Sequence, residues 1–121
     1  IQLYESDRNA RDDRALAQLL TEQAQAYSDL GQHQPAIDRL TRAIRLAEKS
    51  QDVTTVAAAQ GALGNAYWAL GTYQDALNAH QKSLSLACQI NNTNFITTSL
   101  NNLGNVFASR ADRFRFQAIA A

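Results

Sequence analysis

Residues 61–71 read Gly61-Ala62-Leu63-Gly64-Asn65-Ala66-Tyr67-Trp68-Ala69-Leu70-Gly71, and this stretch decides the fold. Leu63, Ala66, Tyr67 and Leu70 recur at three- and four-residue spacing, the pattern of an amphipathic helix. Gly71 ends it, because glycine tolerates the positive φ at which helices commonly stop. Thr72 followed by Asp75 predicts the start of a second helix in a capping-box-like arrangement. That helix places Ala76, Leu77, His80, Leu84 and Ala87 on one face. The unit is a helical hairpin.

The unit repeats at steps of 40 residues. Residues 21–50 and 61–90 share the identities Ala26/Ala66, Tyr27/Tyr67, Leu30/Leu70, Gly31/Gly71, Gln34/Gln74, Ala36/Ala76, Leu46/Leu86 and Ala47/Ala87. A further step relates Leu63-Gly64-Asn65-Ala66-Tyr67 to Leu103-Gly104-Asn105-Val106-Phe107. In the first repeat Gly31 is the stop and Pro35 sits in the next helix's first turn, where proline is tolerated. That helix is expected to bury Ala36, Ile37, Leu40, Ala43, Ile44 and Ala47. Asp12, Asp52 and Asn92 fall one period apart, and each is a good N-cap type. The pattern predicts helices near 2–10, 13–30, 34–50, 53–70, 73–90 and 94–110, with Phe114, Phe116 and Ile119 in a short final helix. Ala24, Gly64 and Gly104 are small sites that let paired helices approach, with Tyr27, Tyr67 and Phe107 filling the space beside them.

Composition agrees with an all-α domain. Ala supplies 22 of 121 residues, while five Gly and one Pro leave little room for the turns of a β fold. Eleven basic residues offset eleven acidic ones, which argues against nucleic acid or an anionic membrane as the partner. No apolar run approaches the ~20 residues of a membrane span. The lone Cys88 excludes an internal disulfide and a cysteine-based zinc site, and it suits a cytoplasmic setting. A chain without Met that opens on Ile1 is expected to be a piece of a longer protein, or a processed one.

The pattern resembles the tetratricopeptide repeat, whose signature runs W-x2-L-G-x2-Y and then a later Ala. The second repeat carries Gln60-x2-Leu63-Gly64-x2-Tyr67 with Ala76, His80 and Ser83. The first carries Leu20-x2-Gln23-Ala24-x2-Tyr27 with Ala36, Leu40 and Ala43, and the third Leu100-x2-Leu103-Gly104-x2-Phe107. The Trp position never holds Trp, and the period of 40 exceeds the usual ~34. The longer form is similar to the arrays of kinesin light chains and spindle-orientation adaptors, and to bacterial arrays, some of them joined to caspase-like proteases. The resemblance implies an α-solenoid of antiparallel helix pairs, a right-handed superhelix of about two and a half repeats. The units would be the end of a preceding helix at 1–11, repeat 1 at 12–51, repeat 2 at 52–91 and a partial repeat 3 at 92–121.

The resemblance also implies where a ligand binds. In the family the concave surface comes from the first helix of each pair, around the small residue. Carried over, these positions are Gln18, Thr21, Gln25 and Ser28, then Ala58, Gly61, Asn65 and Trp68, then Thr98, Asn101, Asn105 and Ala108, with Asn102 at the margin. Amide side chains offer both donor and acceptor, so the set Gln18, Thr21, Gln25, Asn65, Trp68, Asn101, Asn102 and Asn105 suits the backbone of a peptide. The Lys/Arg positions of carboxylate-clamp repeats are absent, which disfavours an acidic C-terminal tail. Trp68 is either an anchor for a ligand side chain or packing against the neighbouring helix.

No catalytic, cofactor or metal motif is visible. His80 stands where the family usually has an aromatic, so packing is its expected role; His33 is expected to be a surface or packing residue, and Cys88 to lie near the surface. Arg39, Arg42, Arg45 and Lys49 form a basic stripe at helical spacing, read as a solvated face or as a patch for an acidic partner. The functional expectation is a non-enzymatic interaction module that takes a protein or peptide partner, with no cofactor. The alternatives are a regulatory or substrate-recruiting segment of a larger enzyme, such as a caspase-like protease, and a self-associating scaffold joined through its open ends as a homo-oligomer.

Overall fold

The computed structural model describes the backbone of residues 2–120 and the side chains of residues 8–119. Its elements are α1 (Gln2–Asp29), α2 (His33–Lys49), α3 (Val53–Leu70), α4 (Tyr73–Gln89) and α5 (Thr93–Ala120), with no strand among the described residues. Each helix packs chiefly on its neighbours in the chain, while α3 also touches α1 and α5. This is the stacked-hairpin solenoid that the period predicts.

Small residues set the spacing. Ala17, Ala24, Ala36, Ala43, Ala47 and Ala59 are fully buried where α1, α2 and α3 meet, together with Leu20, Leu40, Ile44 and Val56. A second cluster joins α3, α4 and α5 through Ala76, Leu77, Leu103 and Val106, with Tyr67 and Tyr73 packed against it. The six residues expected to be buried on α2 are its buried residues. His80 is also fully buried and lies over Gly64. On α4, Leu84 is only half-buried, and Ser83 takes an inner position, donating from Oγ to the Ala57 carbonyl at 2.8 Å.

The turns explain which ends formed. Gly31 and Gly71 adopt φ of 77° and 78°. The Asp52 carboxylate accepts from Thr55 N–H at 3.3 Å, and the Asn92 side chain accepts from Phe95 N–H at 3.1 Å, so both cap as expected. Thr72 does not cap α4 with its side chain; its hydroxyl instead donates to the Tyr67 carbonyl at 3.0 Å, closing the end of α3.

Two expected breaks are absent. α1 runs unbroken through Asp12, which therefore caps nothing. The matching turns need Gln51 and Asn91 at φ of 57° and 54°. That conformation costs a non-glycine residue roughly 1–2 kcal/mol, offset only by packing. Residues 8–12 bury no side chain that would provide it. α5 likewise continues straight to Ala120 instead of ending near 110, and Phe114, Phe116 and Ile119 extend it with exposed side chains rather than forming a separate helix. The physical reason is a single residue: the position one period after Gly71 is Ala111, the strongest helix former in place of the helix stop.

Candidate ligand groove

The first helix of each hairpin, α1, α3 and α5, forms one layer of the solenoid, and a cavity of about 260 Å³ opens on that layer. Gln25 of α1, Asn65 of α3 and Asn102 of α5 line it together with Ala58, Gly61 and Thr98. Gly61 and the alanines keep its floor low enough for Ser83 of α4 to reach it from behind. A Cβ on Gly61 would stand 3.5 Å from the Ser83 hydroxyl, and Ser99 Oγ approaches that hydroxyl to 3.4 Å. Phe95 supplies the one aromatic wall. No residue lining the cavity is ionisable, so the site has hydrogen-bonding capacity and no charge of its own.

The structure therefore gathers Gln25, Asn65 and Asn102, with the expected groove positions Ala58, Gly61 and Thr98, and leaves Gln18, Thr21, Trp68, Asn101 and Asn105 outside the cavity. Gln18, Asn101 and Asn105 are exposed on their helices. The Thr21 hydroxyl turns back to the Ala17 carbonyl at 2.8 Å, and the Gln25 amide donates to the Asp29 carboxylate at 2.9 Å. Trp68 is 38% exposed and its indole N–H donates to Ser109 Oγ at 2.9 Å, so it ties α3 to α5 while leaving part of its ring free. Translating one stripe by the period had no means to find Phe95, Ser83 or Ser99. A helix inside a solenoid offers one edge to the next unit and another to the previous one, and α5 meets α3 with Phe95, Thr98, Ser99 and Asn102, the i, i+3, i+4, i+7 set. Phe95 at the head of that set was the available signal.

A larger cavity, about 480 Å³, lies at the seam where α3 stacks on α2, bounded by Val53, Val56, Glu48, Lys82 and Leu86. Val56 and Ala47 there belong to the core cluster, so the cavity is a crevice of the packing between repeats. The basic stripe disperses: Arg39 stacks over the Tyr27 ring at 4.5 Å, Lys49 reaches Asp13 at 3.3 Å, and Arg42 and Arg45 are exposed. The Cys88 thiol is exposed, and among the described residues no three potential metal ligands converge. Burial lowers the pKa of His80 below its usual 6.5, and neither ring nitrogen has a hydrogen-bond partner. No described helix is long and apolar enough to cross a membrane.

Two family models, both described as tetratricopeptide repeat, match the chain over residues 17–50 and 56–97. No curated protein matches it.

Proposed function

The chain belongs to the tetratricopeptide repeat family, and on that premise we propose that it binds an extended peptide of a partner protein across α1, α3 and α5. Repeats of this family generally mediate protein–protein interaction. The observation that carries the finer reading is the uncharged cavity in which Gln25, Asn65 and Asn102 converge from three successive units. Amides so placed can pair with successive peptide groups of a ligand, and Phe95 and the free part of Trp68 can hold its apolar side chains. Asn101 and Asn105, exposed on α5, extend the same amide surface. The chain is proposed to perform no catalysis, and its exposed, unpaired Cys88 fits the cytoplasm. The proposed repeat units are 12–51 and 52–91, with a partial unit at 92–121.

Peptides selected by display against the chain test this. Asn65→Ala and Asn102→Ala should each weaken binding by about 0.5–1.5 kcal/mol, the worth of a neutral hydrogen bond. Trp68→Ala should cost more, roughly 2 kcal/mol if it anchors a side chain. Binding should change little with salt, because nothing in the groove is charged. Peptides indifferent to all three variants would place the site elsewhere. A second reading, a self-associating scaffold, is favoured by one observation: Leu100 and Phe107 of α5 are 54% and 46% exposed.

A further inference from the structure

Among the described residues His80 is the one ionisable side chain in the buried core, and it lies where α4 meets α3. Its ring presses on the α3 backbone so closely that a Cβ on Gly64 would fall 2.6 Å from it. Neither ring nitrogen has a hydrogen-bond partner, so even the neutral ring leaves one donor and one acceptor unsatisfied. Protonation would add a second N–H and a full charge where nothing accepts either. No counter-charge faces the ring. Among the described residues α4 packs on α3 and α5. α3 carries one ionisable side chain, the Tyr67 phenol, and α5 carries none before Arg110. From there on, Arg110 and Arg113 stack over Phe107 and Tyr73, and Arg115 pairs with Asp112. On α4 itself Asp75 and Lys82 are exposed and line a cavity shared with α2, and the Cys88 thiol is exposed. A cationic His80 therefore gains its solvation only by leaving the core.

The same turn of α4 builds the groove. Ser83 follows His80 by three residues on the same helix face. Its hydroxyl donates to the Ala57 carbonyl at 2.8 Å and lies 3.4 Å from Ser99 Oγ. Ala57, Gly61, Asn65, Ser83 and Ser99 all line the uncharged cavity, and Asn65 directly follows Gly64. The buried ring and the base of the cavity are thus fixed by one turn of helix against one stretch of α3. A ring that leaves Gly64 moves that turn away from α3 and draws Ser83 off the Ala57 carbonyl.

We propose that His80 is a proton-operated latch on the groove: neutral, it holds α4 on Gly64 and keeps the cavity base intact, and protonated, it withdraws Ser83 and releases the bound peptide. The release step rests on the peptide-groove reading; the opening at Ser83 belongs to the chain alone. Linkage is reciprocal, so a peptide held by the latched form also opposes protonation of His80. Burial sets the change on the acid side of the usual 6.5. A nuclear magnetic resonance titration of the whole chain from about pH 7 to 5 tests the latch, following the His80 ring and the backbone amides of Gly61, Ser83 and Ser99. It is run with and without a display-selected peptide that has blocked termini and no ionisable side chain. The ring and the three amides should move together at a midpoint below 6.5 that falls further with peptide bound. Peptide affinity should drop on acidification by up to about tenfold per pH unit, the limit for one proton. His80→Phe, or His80→Leu if the larger ring overpacks Gly64, should bind at pH 7 and lose most of that drop. Asp29, which accepts from Gln25, is present in every variant, so its contribution is common to all. A ring that titrates without moving Gly61 and Ser83, or an affinity that falls equally without His80, overturns the latch. Coupled movement in a chain whose peptide binding ignores Asn65→Ala and Asn102→Ala supports the opening and overturns the groove reading alone.

Discussion

Gly64 and Gly104 stand at the same position of the same repeat, each in a Leu-Gly-Asn-x-aromatic run, yet one is a core contact and the other a surface notch. The difference is made by the helix that follows. α4 turns back at Gly71 and presses His80 onto Gly64, while α5 has Ala111 at the turn position and runs on as helix to Ala120. In a solenoid the packing value of a residue is therefore set by whether the next hairpin arm folds over it. The same distinction separates the sealed Gln60 from the exposed Leu100 and the half-buried Tyr67 from the exposed Phe107.

A paired substitution separates the two glycines most strongly. Gly64→Leu should destabilise the chain by about 1–3 kcal/mol or more through overpacking against His80. Gly104→Leu, measured at a concentration where the chain is monomeric, should raise stability by up to about 1 kcal/mol, because it removes a mid-helix glycine from an open face. Thermal melts of the two variants check this, and equal melting temperatures would dissolve the distinction.

His80 makes the contact over Gly64 sensitive to pH. Its folded pKa lies below the ordinary 6.5 because burial disfavours the cation, so the unfolded chain binds the proton more readily. The sign follows: stability is fully present above about 6.5 and falls as pH drops below it. Acid should therefore loosen the α3–α4 pair, and His80→Phe should flatten the pH dependence of the melting temperature between pH 7 and 5. An unchanged slope in that variant would show that another group governs it.

The smallest effect concerns the caps. Asp52→Ala should cost about 1 kcal/mol, because it leaves the Thr55 N–H without its carboxylate. Asp12→Ala, one period earlier but inside α1, should stay within about 0.5 kcal/mol. Urea unfolding of both variants measures the contrast; a similar loss at Asp12 would mean that α1 does break there.

The repeat made most of this legible. The period, the glycine stops at 31 and 71 and the buried face of α2 could all be read from the sequence, because each depends on neighbours within one or two turns. The break expected at Asp12 was not borne out, since a turn needs tertiary packing that a cap residue cannot report. The substitution of Ala111 for the helix stop was visible in the sequence, but it gains its meaning only once α5 is seen to pass through it. Of the residues that line the cavity, the stripe carried from repeat to repeat contains Gln25, Ala58, Gly61, Asn65 and Thr98, with Asn102 at its margin, and omits Phe95, because α5 shows α3 its other edge.

The most direct test of the account is a nuclear magnetic resonance titration of the chain with a display-selected peptide, followed at the side-chain amides of Gln25, Asn65 and Asn102. These three are expected to shift together, with Phe95 and Trp68, at one saturation point and with little change on adding salt. Shifts confined to the opposite seam, at Glu48, Lys82 and Leu86, would contradict it and move the binding site to the crevice between repeats.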